Sequence, residues 1–397
     1  MRPSRRHGHG RHQRAPVRSA GRGRRTARGR APREEQVSED LVPADALREE
    51  LWQAVIANDE YGAVDVLRAG LDAGRDKESL LLDVVARVQE KVGTEWAADR
   101  ISVAQEHAAT AINERVIAVL AHRSPAERSV LPRRGRVTVS CVDGEWHAFP
   151  ARLVAEVLRL RGWDVDFLGA QTPTAHLVAH QHRTDSDAVL LSASLPTHLP
   201  KAHAAITACR AVGVPVLAGG RAFGPDGRFA RALGADRWAA DARGAAAVLE
   251  AGLPRPTAVR QVVDDLPHLA DQEYTMVVQS RGRLVKQVLS TLEDRFPAAR
   301  AYSDAQRERT AEDIAHIIEF LATALYLDAS EVFGEFLVWT AEVLEVRGVP
   351  RTSLTAGLGI LAEELHDFPR ARRLIAGGGA AFGGRPLPAV PGPGAPA

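Results

Sequence analysis

Between residues 136 and 252 of this 397-residue chain, short unbroken apolar runs alternate with amphipathic stretches, and few architectures tolerate that alternation. The runs are RVTVSCV (136–142), DVDFLG (164–169), AVLLSAS (188–194) and PVLAGG (215–220), with a last short one near RWAAD. Between them lie ARLVAEVLRLRG, TAHLVAHQHR, HAAITACRAVG and RFARALG, whose apolar positions recur at helical spacing. A strand that is apolar at every position, rather than at every second one, is covered on both faces. Such strands separated by helices predict a five-stranded parallel sheet with helices on both sides, an α/β domain over 134–252. In sheets of this kind ligands bind beyond the carboxyl ends of the strands. The loops at 143–150, 170–173, 194–200 and 219–224 are therefore the expected site.

The flanking sequence has the 3.6-residue period instead. From 40 to 122 the stretches LREELWQAVIANDEYGAVDVLRAGL, SLLLDVVARVQEKVG and SVAQEHAATAINERVIAVLAH predict a four-helix unit. Ser102 and Gln105 form a capping box that starts the last of these helices and puts Glu106 and His107 in its first turn. HRSPAERSVLPRRG (122–135) reads as a linker, and a second one covers roughly 252–273. Four further helical segments, TMVVQSRGRLVKQVLSTLEDRF, TAEDIAHIIEFLATALYLD, SEVFGEFLVWTAEVLEVRG and RTSLTAGLGILAEELHDF, predict a second all-α domain over 274–375. Its apolar stripes imply a bundle core with a regulatory or dimerisation face. Residues 376–397, rich in Gly and Pro, are expected to be disordered.

Charge is segregated along the chain. Residues 1–33 hold twelve arginines and no acid, and with the whole chain at +1 the remainder stands at −11. So polar an arm (1–38) cannot bury enough surface to offset its ordering entropy, and disorder is expected there. It reads either as a polyelectrolyte for non-specific nucleic-acid contact or as a tail of biased composition without a role. The two cysteines lack C-x-x-C spacing, and no apolar run reaches the ~18 residues of a membrane span. The arginines have no apolar core behind them, which excludes a secretory signal. A cytoplasmic, membrane-free setting is expected.

The loop after the first strand reads DGEWHAFP, from Asp143 to Pro150. An acid two residues before a histidine can accept from one ring nitrogen while the other is left for a metal. Read singly, Glu145 and His147 fit a solvated histidine equally well. In context the stretch resembles the cobalamin-binding domain of corrinoid proteins, whose signature is D/E-x-H-x-x-G after the first strand, a Ser and Leu after the third, and Gly-Gly after the fourth. Here these correspond to Glu145, His147 and Pro150, then Ser192-Ala193-Ser194-Leu195, then Gly219-Gly220. The resemblance implies a Rossmann-like fold and a base-off cobalamin with His147 as the lower ligand of the cobalt. It also implies that the displaced nucleotide tail threads into the sheet beside Ser192, Ser194, Leu195, Gly219 and Gly220. Pro150 departs from the final Gly of the signature, although it suits the start of a helix.

The helical unit at 40–122 resembles the cap of the same proteins. Trp96, nine intervening residues and Glu106-His107 match the W-x9-E-H pattern of light-responsive adenosylcobalamin regulators of the CarH type. The resemblance implies that Trp96 covers the space of the adenosyl group and that Glu106 and His107 line the same face. An indole can stack on adenine and a carboxylate can bond ribose hydroxyls. Some of these photoreceptors carry a His directly after the Trp; Ala97 stands there in this chain and argues against a two-histidine photoproduct.

Together these resemblances imply a photoreceptor for transcription regulation rather than an enzyme, with adenosylcobalamin favoured over methylcobalamin. Upstream of the cap the sequence offers the Arg-rich arm and no visible helix-turn-helix. Output is accordingly expected through a protein partner such as a transcription regulator, through self-association, through the C-terminal helices, or through non-specific nucleic-acid contact. The competing expectation is a corrinoid methyl carrier serving methyltransferases, and a third is a cobalamin storage or chaperone protein. His176, His180 and His182 share one predicted helix, but without a third ligand they read as a solvated face. The C-terminal helices have a looser resemblance to all-α sensor or partner-binding domains of bacterial stress-signalling regulators, around FLVWTAEVLEVRGVPRTSL.

Overall fold

The computed structural model describes residues 43–123, 127, 133–256, 266–296 and 299–381, all within one unit, Val42–Ala397. The Arg-rich arm, most of the first linker and residues 382–397 lie outside the described residues, and with them the disorder expected of arm and tail.

The cap consists of α1 (Ala44–Ile56), α2 (Glu60–Asp72), α3 and α4 (Val103–Ala121). On α1, Leu47, Leu51 and Val55 repeat every four residues and are all buried. The Asp59 carboxylate accepts from the Gly62 N–H at 2.9 Å and starts α2. Helix α3 is continuous through Lys77–Ser79, a π-helical segment Leu80–Val85, and Ala86–Ala97. The π segment turns Leu80, Leu81, Val84 and Val85 into the core together, and the Arg48 guanidinium donates to its Asp83 carbonyl at 2.5 Å. The capping box at Ser102 and Gln105 is present at the start of α4.

The five strands β1 (Arg136–Cys141), β2 (Asp164–Gly169), β3 (Ala188–Ser192), β4 (Val216–Gly219) and β5 (Arg237–Ala239) are all parallel, in the order β2-β1-β3-β4-β5. Between and after them run α5 (Ala148–Leu160), α6 (Thr174–Thr184), α7 (Leu199–Ala211), α8 (Arg228–Ala232) and α9 (Ala242–Ala251). Val137, Val139 and Cys141 face α5 and α9, whereas Val189, Leu191, Val216 and Ala218 face the side of α6 and α7. The strand order reverses between β1 and β3, which opens the crevice where ligands of such sheets bind. Phe149 and Leu153 of α5 belong to the hydrophobic core of the cap. The helix that begins at the expected site is thus inserted in the helical unit before it. Arg161 pairs with Glu78, and Arg243 with Asp83, across the same boundary.

The C-terminal part has five helices, α10 (Glu273–Arg295), α11 (Asp304–Leu327), α12 (Ser330–Val346), α13 (Arg351–Glu364) and α14 (Pro369–Ala381), where the sequence predicts four. Helix α14 also runs through Gly377, Gly378 and Gly379 into the stretch expected to be disordered. Tertiary contact explains the difference: a Cβ on Gly378 would lie 2.7 Å from Leu337 and 3.1 Å from Phe333, so the glycine lets α14 approach α12 closely. The buried Glu273 carboxylate accepts from the Arg370 and Ala371 N–H groups at 2.9 and 2.8 Å and caps the helix from α10. One continuous core joins this bundle to the α6/α7 side of the sheet. Inside it, His203 Nδ1 lies 2.7 Å from the Tyr326 hydroxyl.

Burial pushes the thiols of Cys141 and Cys209 from 9.0 up to about 12, with the charge of Glu145 adding to the effect at Cys141. In the native protein at pH 8 both should react with an aromatic disulfide reagent at least ~100-fold more slowly than in denaturant, because the thiolate is the reactive species. Ionisation favours the unfolded chain here, so stability falls as pH rises from 9.0 towards 12, which urea titrations at stepped pH will read.

Candidate functional site

Two loops meet at the carboxyl edge where the strand order reverses. After β1 the chain turns through Gly144 at φ +86, with the Glu145 N–H donating to the Val142 carbonyl at 2.9 Å. After β3 it passes through Ser194 and Leu195 into a short 3-10 turn, Pro196–His198. The fully buried Glu145 carboxylate joins the two. One oxygen, Oε1, accepts from the His147 backbone N–H at 2.9 Å and from His147 Nδ1 at 2.6 Å. The other, Oε2, accepts from the N–H groups of Ser194 and Leu195 at 2.6 and 3.1 Å and from His198 Nδ1 at 3.2 Å. The β2 loop joins as well, since the Gln171 N–H donates to the Glu145 carbonyl at 3.1 Å.

An ionised carboxylate only accepts, so both imidazoles present an Nδ1–H to it. That assigns the His147 tautomer and leaves Nε2 with a free lone pair on a side chain that is 56% exposed. Burial by itself would raise the Glu145 pKa; the hydrogen bonds from His147, His198 and the His147 and Ser194 N–H groups overcome it and hold the carboxyl well below the usual range. The Glu145 bond raises the His147 pKa against its burial, and the charges of Arg221 and Glu106 reach the same ring with opposite sign.

Ser192 and Gly219 stand in a register row across the sheet, Cys141–Ser192–Gly219–Ala239. These four small residues stand side by side at the carboxyl edge, with Cys141 and Ala239 packed in the core on the α5/α9 face. Gly220 has φ +95, and a Cβ there would lie 2.3 Å from the Ala193 carbonyl oxygen, so no other residue fits. Pro150 lies in the first turn of α5. His147 offers a metal one nitrogen, a donor set suited to a metal that brings its other ligands with it, and the row of small residues suits a narrow group inserted at the sheet edge.

In the cap, Glu106 sits at the end of a side-chain chain that fixes it: Asn113 donates to Gln89 at 2.8 Å, Gln89 to Thr110 at 2.8 Å, and Thr110 to Glu106 at 3.0 Å. His107, largely exposed, has its Nδ1 against the Glu106 carboxylate. Trp96 is half-buried at the end of α3, beneath the Arg347 guanidinium of the C-terminal bundle, 5.4 Å from the ring centroid. His180 bonds Asp166 at 3.0 Å, and among the described residues no group of three or more His, Cys, Asp or Glu side chains is arranged to hold a free metal ion.

Three residues near this site escape the sequence reading. His198 falls in the predicted 194–200 loop, and its being titratable there was the available signal. Trp146, 75% exposed beside His147, was legible only as a large apolar side chain in a ligand-facing loop. Arg221 follows Gly220 directly, but nothing local to it shows that its charge reaches His147.

Residues 135–249 match the B12 binding domain family, and residues 47–121 match a second B12 binding domain family. The chain is similar to the HTH-type transcriptional repressor CarA of Myxococcus xanthus, with 31% identity over 153 residues, 38% of this chain and 48% of that one. It therefore spans about half the length of the curated relative it matches. Among solved structures it is similar to the monomethylamine corrinoid protein of Methanosarcina barkeri, with 20% identity, 52% of this chain and 98% of that chain covered, and a TM-score of 0.46. A cobalamin-binding protein from Desulfitobacterium hafniense DCB-2 shares 19% identity over 52% of this chain and 97% of its own, with a TM-score of 0.29. The chain is a cobalamin-binding-domain protein that resembles the CarA-type regulators. Among the described residues, no helix is long and apolar enough to cross a membrane.

Both Glu145 oxygens face only donors, so Glu145→Gln must turn its NH2 towards at least one N–H group. The variant should lose about 2–4 kcal/mol in urea-induced unfolding of the ligand-free protein, since a buried, donor-rich site is left with a mismatched partner.

Proposed function

We propose that this protein is a cytoplasmic adenosylcobalamin sensor that responds to light, with His147 as the lower ligand of the cobalt. The observation that carries the proposal is the His147 ring: its Nδ1 is held at 2.6 Å by a buried carboxylate, and its Nε2 is free at the carboxyl edge of a parallel sheet. A carboxylate behind a metal-binding imidazole fixes the tautomer and raises the basicity of the ligating nitrogen. The row Cys141–Ser192–Gly219–Ala239, together with Gly220, supports accommodation of the nucleotide tail along the sheet.

Adenosylcobalamin, when bound, supplies a cobalt–carbon bond that green or blue light breaks. The cap residues do the rest. Trp96 offers an aromatic face for the adenine, and Glu106, fixed by Thr110, Gln89 and Asn113, offers a carboxylate for ribose hydroxyls. When those contacts are lost, Trp96 and the ends of α3 and α4 repack, and the population shifts towards a second cap arrangement. The likeness to a transcriptional repressor supports an output in transcription regulation. We assign that output to a protein partner or to self-association, with non-specific nucleic-acid contact by the Arg-rich arm as a supplementary attachment.

Reconstitution of the full chain in the dark with adenosyl- or methylcobalamin, followed by spectra and light-scattering mass before and after illumination, tests this reading. Adenosylcobalamin should bind with a histidine-ligated, base-off spectrum and a light-dependent change in mass or shape. His147→Ala should abolish the histidine signature, and Trp96→Ala should weaken adenosylcobalamin about ten-fold, or ~1.4 kcal/mol. Uptake of methylcobalamin alone identifies a methyl carrier, uptake without any response to light identifies a storage protein, and uptake of neither overturns the cobalamin reading.

A further inference from the structure

The C-terminal bundle reaches the cap at the residue proposed to cover the upper ligand. Helix α3 ends in a tightly bonded turn: Ala98, Asp99 and Arg100 donate to the carbonyls of Thr94, Trp96 and Glu95 at 3.1, 3.0 and 2.9 Å. Arg100 is also ion-paired to Glu95, and Asp99 takes the left-handed conformation at φ +54. Aspartate enters that backbone more readily than most residues, and here it closes the helix. The bonded turn presents the Trp96 indole and the Asp99 carboxylate to a common neighbour.

That neighbour is Arg347, the first residue after α12. Its Cζ stands 5.4 Å from the Trp96 ring centroid and its Nε 3.9 Å from Asp99. The chain then turns away through Gly348 at φ +78. Arg347 is not on a free arm. The bundle that carries it shares a core with the sheet, bonds it through Tyr326 and His203 at 2.7 Å, and pairs Glu331 with Arg228 at 2.9 Å. Helix α11 also packs on the 3-10 turn that carries His198, a partner of Glu145. Arg347 is thus held relative to the cobalamin-binding domain, while Trp96 belongs to the cap.

We propose that Arg347 is a positioning residue: the C-terminal bundle uses it to set the Trp96 indole for the upper ligand, and so sets the preference for a bulky adenosyl over a small methyl group. The proposal rests on the cap reading above. A guanidinium over an indole restricts the ring to the range in which its face meets the cation, and the Asp99 contact, long and solvent-exposed, steers the guanidinium more than it holds it. Coupling of this kind is reciprocal. If the bundle biases Trp96 towards one arrangement, occupancy of the upper position biases the bundle in turn, which makes α12 the route by which the cofactor's state leaves the cap.

The test compares wild-type full-length protein with Arg347→Ala, Arg347→Lys and Trp96→Ala, each titrated in the dark with adenosylcobalamin and with methylcobalamin. Arg347→Ala should lower the adenosyl-to-methyl affinity ratio roughly five-fold, the worth of one partly exposed cation over an indole. It should leave the histidine-ligated spectrum unchanged, and Arg347→Lys should restore part of the ratio. An equal fall in both affinities makes Arg347 a merely structural residue and overturns the proposal. So does an unchanged ratio in Arg347→Ala when Trp96→Ala has lost its preference, and in that case the cap reading stands. If Trp96→Ala itself keeps the wild-type ratio, the cap reading fails and this inference falls with it.

Discussion

Everything about the site depends on one buried carboxylate. Glu145 is surrounded by donors from two loops that follow different strands, and each of its oxygens answers for a different loop: Oε1 for His147, Oε2 for Ser194, Leu195 and His198. A full negative charge in so buried a position is tolerable only because several short hydrogen bonds replace its hydration. The arrangement works in both directions. The carboxylate closes the gap between the loops, and the loops keep it ionised, which in turn holds the imidazole in one tautomer. The free nitrogen of His147 is thus a product of the β1–β3 crevice as a whole and not of the histidine alone.

The two all-helical parts are not appendages to this crevice. Phe149 and Leu153, on the helix that His147 begins, complete the core of the cap. The bundle completes the core on the α6/α7 side and packs against the turn holding His198. A displacement of either helical part is therefore felt close to Glu145, through α5 in one case and through the Pro196–His198 turn in the other. Tight packing transmits such displacements because a close-packed interior has little slack.

What was legible in the sequence follows from how local each interaction is. The strands were readable because unbroken apolar runs need no partner to be recognised, and the start of α4 because Ser102 and Gln105 bond each other within one turn. Glu145 and His147 were readable as a pair because a single residue separates them, and the family resemblance supplied the rest of the site. His198 depends on how two loops lie side by side, and Arg347 meets Trp96 from the far end of the chain, so neither has a local mark. Helix α14 was hidden for a different reason. Gly377, Gly378 and Gly379 are weak helix formers, and only the close fit of Gly378 against Phe333 and Leu337 and the cap from Glu273 outweigh that weakness.

The π segment of α3 bears on the direction in which Trp96 faces. An α-helix advances each residue by about 100° around its axis, and one extra residue accommodated in a wide turn offsets all that follows by about that angle. The first and last parts of α3 are therefore out of phase, and the azimuth of Trp96 is set by the presence of the wide turn at Leu80–Val85 as well as by the count of residues from Asp76. That wide turn is held by Arg48 on the Asp83 carbonyl and by four apolar side chains buried together, so the facing of Trp96 depends on contacts made more than ten residues before it.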